Sequence, residues 1–283
     1  GNEVASSILH VMRKEGESEN EVINHPVEAL FLSPNEYFSR SFLFQYAVAW
    51  LCLDGNAYWY LAPARNDPEN IVEIWPMPSH KTWAVPDKDP SVFIKHYAYQ
   101  HSDNTLYKID KRYVVHFMLK NPWSLYSGLS KLTAAFLPIQ TDLASSGFQK
   151  DFYAKGRGIP HSVVSLSPEI GDPDFLATEQ KLKEDFETGR KIAVVRGGEF
   201  DVKTIGISQN DMRIVESREF TRDEIDSLIL GIPFRNVEDS AGLKEANRMM
   251  VEKAVRPLHV LMEEQLTIQL LHRFYGNDLV CHF

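Results

Sequence analysis

At Asn121-Pro122-Trp123 the spacing of apolar residues changes from two to three-and-four, so the chain has to fold as two kinds of structure in succession. Before that point, apolar and aromatic runs at 57–62, 71–75, 82–85, 92–100, 105–109 and 113–118 are separated by turn signals. These are Asn66-Asp67-Pro68, Pro76, Pro78, Pro86-Asp87 and Asp103-Asn104. Short strands at such close spacing predict a mainly antiparallel sheet. After it, Leu132, Phe136, Ile139, Leu143, Phe148 and Phe152 mark one face of a long helix that Pro138 should kink or delay. Gly156 and Gly158 end it.

The rest of the chain continues this alternation. A strand over 161–166, a polar helix over 173–188 and strands over 191–195 and 200–206 predict a small β-α-β-β insert bracketed by helices. A helix over 211–230 stops at Gly231-Ile232-Pro233, and a polar loop leads to a last helix over 243–275, predicted to kink at Pro257. At the front, Val4, Ile8, Leu9 and Val11 read as a helical stripe running into an acidic loop near residue 21, and Ser33-Pro34-Asn35-Glu36 as the start of a buried helix reaching Leu51. The expected fold class is therefore α+β: a mainly antiparallel β domain, long helices, a small β-α-β-β insert and a kinked long C-terminal helix.

Charge and cysteines exclude several functions. A formal net charge of -9 argues against tight wrapping of nucleic acid, which needs cations against phosphates, but not against merely surrounding it. Cys52 and Cys281 are too few for a disulfide framework or a four-thiolate metal site and read as reduced and structural. No apolar run approaches the roughly 18 residues of a membrane-spanning helix, and no signal peptide is visible, so the expectation is a soluble, intracellular protein without membrane contact. The start at Gly1 suggests a trimmed chain.

Catalytic patterns fail one after another. Gly156-Arg157-Gly158 has His161 where a dinucleotide loop needs a third glycine, and no Gly-Lys-Ser or Gly-Lys-Thr triplet occurs. Neither Gly128-Leu129-Ser130 nor Gly206-Ile207-Ser208 continues to the closing glycine of a nucleophile elbow. His259 and Glu263 sit one helical turn apart but lack a third ligand, and Glu184 and Asp185 lie among lysines on a polar helix, as a solvated face would. No catalytic residue, cofactor or metal is expected.

Several segments, read in order, resemble the portal proteins of tailed bacteriophages of the HK97 type. They are His25-Pro26 with Leu30 to Asn35, Asp54 to Trp59, Gly128-Leu129-Ser130, Asp151 to Gly156 with Pro160, Glu216-Ser217-Arg218 and Ile232-Pro233. The resemblance implies a wing domain (1–130), a first stem helix (131–155), a clip (156–207), a second stem helix (208–230), a channel loop (231–242) and a helix returning to the wing or crown base (243–283). The chain stops at Phe283, so a crown is expected to be short or absent.

It also implies a homo-oligomeric ring, commonly a dodecamer, at one capsid vertex of the virion, assembled in the host cytoplasm. Double-stranded DNA would pass through it. The terminase large subunit, head-completion or connector proteins and capsid or scaffolding protein would be its partners. On this plan Arg235 and Asn236 become the candidate phosphate-facing residues, and Arg157, Glu169 and Asp172 the candidate docking residues of the clip. Two other readings stay open at this point: a metal-dependent hydrolase or nuclease using Glu184, Asp185 and His259, and a monomeric adaptor that binds a protein through 156–207.

Overall fold

A computed structural model describes residues 9–15, 18–155, 161–166, 169, 171–185, 193–196, 204–205, 214–231 and 240–283. In chain order the elements are strands β1 (His10–Glu15) and β2 (Ser18–Glu21), then helices α1 (Pro26–Leu32) and α2 (Arg40–Leu53). Six strands follow: β3 (Asn56–Ala64), β4 (Asp67–Met77), β5 (Thr82–Pro86), β6 (Ile94–Gln100), β7 (Leu106–Asp110) and β8 (Val114–Met118). Next come α3 (Lys131–Ala134), α4 (Phe136–Lys155), β9 (His161–Leu166), α5 (Asp172–Asp185), β10 (Ala193–Arg196), β11 (Thr204–Ile205) and α6 (Ile214–Leu230). The chain closes with α7 (Ser240–Met250), α8 (Arg256–Leu266), α9 (His272–Phe274) and β12 (Leu279–His282). It divides into two compact units, Gly1–Ala135 with Asp226–Phe283, and Phe136–Ile225.

The first unit is built on three antiparallel sheets ordered β12-β1-β2, β4-β3-β8 and β5-β6-β7. β3 is central in its sheet, and its Trp59 is buried among Phe44 of α2 and Phe117 of β8, with ring centroids 5.2 and 4.7 Å away and edges turned toward the indole. Leu43, Leu51, Leu61, Ile74, Met262, Leu266, Leu270 and Leu271 complete this core. Each such side chain contributes about 1.5–3 kcal/mol by leaving water. A smaller core of Tyr58, Met77, Tyr97 and Val114 lies where β3, β4 and β8 meet β6.

The six predicted strands over 57–118 all appear, with ends shifted by a few residues, because their turn signals fix the breaks. The front of the chain differs. Where the apolar stripe predicts a helix, the described residues form β1 and β2. Leu9 and Val11 are two apart, the period of a strand, and Val11 lies opposite Cys281 in the β1–β12 ladder. The acidic stretch is strand too, its Glu19 and Glu21 paired with His282 and His10.

α2 starts at Arg40 rather than at Pro34, because Asn35 is spent on a turn. Its Oδ1 accepts from the Tyr37 and Phe38 amides at 2.9 and 2.8 Å, while its Nδ2 donates to the Ile74 carbonyl at 2.8 Å. The Ile74 amide returns a bond to the Pro34 carbonyl at 2.7 Å, joining this turn to β4. Ser39 then caps α2. The short helix α1, unanticipated in the sequence, opens on Pro26 with the His25 ring accepting from the Val27 amide. Asn35 is buried, so Asn35→Ala is expected to cost about 2–3 kcal/mol by stranding a carbonyl and two amides. Urea denaturation at neutral pH measures it, and a loss below about 0.5 kcal/mol would contradict this account.

At the other end, α7, α8 and α9 form one helical run interrupted by two π turns, Val251–Val255 and Thr267–Leu271. The predicted disturbance at Pro257 thus appears as a wide turn just before it, where the Arg256 amide reaches back to the Val251 carbonyl. Leu258, Met262, Leu266 and Leu270, all buried, follow at four-residue spacing. That spacing outruns the 3.6-residue turn, and the second π turn compensates by widening the helix. β12 then folds back, with the Cys281 amide donating to Thr267 Oγ1 at 3.1 Å and the Phe283 amide to Glu263 Oε1 at 2.7 Å. Burial pushes the Cys281 thiol up to about 12, which keeps it inert.

In the second unit Pro138 delays the helix as expected: α3 ends at Ala134 and α4 begins at Phe136. The insert is a three-stranded sheet ordered β10-β9-β11, in which β10 runs parallel to β9 and β11 antiparallel to it, with α5 as the crossover between β9 and β10. The guanidinium of Arg218 on α6 donates to Asp142 and Gln149 of α4, both at 2.9 Å. That fork raises the Arg218 pKa, through its bond to Asp142 first, and braces the two helices.

Candidate assembly surface

The sheet β4-β3-β8 hands the chain to its long helices through a crossing of two glycine turns. Gly55 ends α2 at φ 82°, a left-handed conformation that suits glycine, and its carbonyl accepts from the Leu119 amide at 2.9 Å. Gly128 passes so close that a Cβ on it would lie 2.0 Å from the Gly55 oxygen. Asn56 ties the crossing together: its Oδ1 accepts from the Gly128 amide at 2.6 Å, and its Nδ2 donates to Asp54 Oδ2 at 3.0 Å and Ser127 Oγ at 3.2 Å. Ser79 donates a second, short bond to the same Asp54 oxygen. Ser130 then donates to the Cys52 carbonyl at 2.7 Å and caps α3 by accepting from the Leu132 amide at 3.0 Å. Lys131 Nζ reaches the Ile229 carbonyl at the end of α6. The departure of α3 is therefore fixed by hydrogen bonds on both sides.

His116 of β8 completes this network from inside the sheet. Its Nε2 lies 3.1 Å from Asn56 Oδ1 and its Nδ1 3.4 Å from the Tyr97 hydroxyl, and its ring stacks on Tyr58 at 4.3 Å. Because Asn56 Oδ1 already accepts from Gly128, the arrangement calls for the proton on Nε2, leaving Nδ1 to accept from Tyr97. Burial lowers the His116 pKa to about 4, against a weaker opposing pull from Asp54. The unfolded chain takes up that proton near pH 6.5 and the folded chain does not. Above pH 6.5 His116 leaves stability unchanged; as pH falls from 6.5 toward 4 stability is lost, by roughly 2 kcal/mol at pH 5. The His116 ring resonance is expected to stay at its neutral position down to pH 5, and a midpoint near 6.5 by NMR titration would overturn the assignment.

The helices beyond the crossing carry an apolar surface that faces water. On α4, Phe136 is 60% and Leu143 65% exposed, seven residues apart and so on one face, with Leu137 beside them; on α6, Phe220 is 68% exposed. Isolated exposed apolar residues are ordinary, but such a row on a helix marks a contact surface.

The expected functional residues fall unevenly on this frame. Arg157, Arg235 and Asn236 lie outside the described residues. Glu169 stands exposed in a turn, and Asp172 opens α5 together with Asp174, where carboxylates suit the helix N-terminus. Of the expected loop over 231–242, residues 232–239 lie outside the described residues, and α7 begins at Ser240. Glu184 and Asp185 close α5, and His259 lies on α8 stacked against the Phe283 ring at 4.8 Å while Glu263 holds the Phe283 amide. Among the described residues no three His, Cys, Asp or Glu side chains group as metal ligands.

Asn56 and Gly128 stand in the segments that carried the resemblance, and their role becomes visible only at the crossing. His116 went unassigned, although a histidine inside the apolar run Val114-Val115-His116-Phe117-Met118 is a signal that a buried partner awaits it.

A helix with an uncovered apolar row has the make-up of a contact surface. The chain belongs to the phage portal protein family, whose model matches residues 1–283. This is a family of structural, non-enzymatic capsid components, and the hydrolase reading finds no support. The chain is 26% identical over 273 residues to an uncharacterized protein of Rickettsia bellii (strain RML369-C), covering 91% of this chain and 69% of the relative. Its fold is similar to a subunit in the neck of the native gene transfer agent particle computed with C12 symmetry, at TM-score 0.69 and 20% identity over 99% of this chain and 76% of that one. It is also similar to an HK97 family phage portal protein from Corynebacterium diphtheriae, at TM-score 0.61 and 13% identity over 100% of this chain and 88% of that one.

Proposed function

We propose that this chain is the repeating subunit of a closed ring at one vertex of a virion capsid, through which double-stranded DNA is packaged and ejected. The observation that carries the reading is the match of the portal family over the entire chain. The exposed apolar row of α4 supports it, because a head-to-tail contact repeated around a ring would cover that row in every subunit. The net charge of -9 suits a conduit that lets DNA slide instead of holding it.

In this reading residues 1–130 form the wing, 131–155 and 208–230 the two stem helices, 156–207 the clip, 231–242 the channel loop and 243–283 the helix that returns toward the wing or crown base. The ring is a dodecamer, in keeping with the C12 symmetry of the similar neck. It assembles in the host cytoplasm. Arg235 and Asn236 face the DNA, while Arg157, Glu169 and Asp172 take part in docking the terminase large subunit and later the head-completion or connector proteins. Capsid or scaffolding protein surrounds the wing.

Electron microscopy and mass photometry of the purified chain test the reading. Twelve-fold rings are expected. A chain that stays monomeric at every concentration would overturn it.

A further inference from the structure

Between the end of β8 and α3, residues 121–127 form a loop held by its own hydrogen bonds that keeps Trp123 and Leu125 in water. Asn121 Oδ1 accepts from the Trp123 amide at 3.0 Å and Asn121 Nδ2 donates to the Ser127 carbonyl at 2.7 Å. Ser124 Oγ accepts from the Tyr126 and Ser127 amides, both at 3.2 Å, and the Tyr126 ring stacks on Phe93 at 4.6 Å. On this frame Trp123 is 80% and Leu125 70% exposed. A backbone fixed in this way has less freedom left to lose on binding, and tryptophan is a side chain enriched among the anchors of protein interfaces.

The same unit carries a cleft of ≈ 710 Å³ whose lining is largely aromatic, Tyr60, Trp75, Tyr99, Tyr107 and Tyr113, and also holds Lys108 and Asp110. Such a pocket gives an indole flat ring faces to pack on and phenol oxygens to accept its N–H. No residue from Asn121 to Ser127 is charged, so the loop itself brings no ion into the cleft. Trp123 does not line the cleft of its own chain, and its exposure shows that nothing among the described residues covers it.

We propose that the loop over 121–127 is a knob whose Trp123 seats in the aromatic cleft of the adjacent copy of this chain. A second copy is the occupant because a ring made head to tail needs two different, complementary surfaces on every subunit, and the neutral knob and the aromatic cleft are such a pair on one chain. The inference rests on the ring reading and adds to it a contact separate from the apolar row of α4.

The test places photoreactive benzoylphenylalanine at position 123 of the full chain and maps its crosslinks in rings mixed from isotopically light and heavy copies. Crosslinks from one copy to peptides of another that carry Tyr99 or Tyr107 are expected. Trp123→Ala and Tyr107→Ala are each expected to weaken subunit association roughly thirty-fold, with the double variant little worse than either, and with unchanged circular dichroism because both side chains are exposed. Rings that form while the crosslinks fall elsewhere, or variants that associate normally, overturn the knob and leave the ring reading standing. A chain that never forms rings overturns both.

Discussion

Gly128→Ala is expected to cost at least about 4 kcal/mol and to leave the chain largely unfolded or aggregated on expression. The added Cβ would lie 2.0 Å from the Gly55 oxygen and 3.0 Å from the Leu119 amide, all of it backbone with no flexible end to yield. Relief requires pulling the two turns apart, and that breaks the bond from Gly128 to Asn56 and strands the Gly128 amide. Gly147→Ala is the matched control. It lies in α4 where a Cβ meets nothing within 4 Å, so the same substitution there should gain about 0.5–1 kcal/mol through helix propensity. Parallel thermal melts decide the matter, and near-equal melting temperatures for the two variants would show that the crossing is not tight.

The second large effect concerns assembly instead of folding. Phe136→Asp combined with Leu143→Asp is expected to leave helicity and melting of the isolated subunit nearly unchanged, because both side chains already face water. Each lost apolar contact removes about 1.5–3 kcal/mol per subunit contact, and each new carboxylate adds a charge with no partner to meet it. Ring formation should therefore fail, with monomers at concentrations where the parent chain is fully assembled. Size-exclusion chromatography with light scattering reads the outcome. Intact rings from the double variant would show that the row on α4 does not carry the contact.

The β-rich front of the molecule was legible because its breaks are written in proline, glycine, asparagine and aspartate, residues whose preference for turns is intrinsic. The delay of α4 by Pro138 was legible for the same reason. What escaped depends on distant partners. Residues 9–15 look helical only if Val4 and Ile8 join the stripe, and the partner that makes them a strand, β12, lies at the far end of the chain. Asn35 seemed to open a helix because no local signal reveals that Ile74 is its neighbour. The π turn before Pro257 likewise reflects how the helix meets its core. Among the site residues, the order of Asp54 to Trp59 and Gly128 to Ser130 pointed to the family, while the reason for those residues, two turns crossing within contact distance, is a property of the fold alone.

The ladder between β1 and β12 sets an order of events during synthesis. β1 forms its hairpin with β2 as soon as both have been made, but its other edge waits for Leu279–His282, with Arg13 pairing to Leu279 far along the chain. Contacts of such sequence separation form late and slowly. Until then the nascent chain shows an open strand edge, which a chaperone or another chain can pair with. Phe283, next after β12, gives its amide to Glu263 on α8, so α8 gains this partner only when translation has passed β12. A growing chain thus carries in its own topology a record of whether β12 has been made.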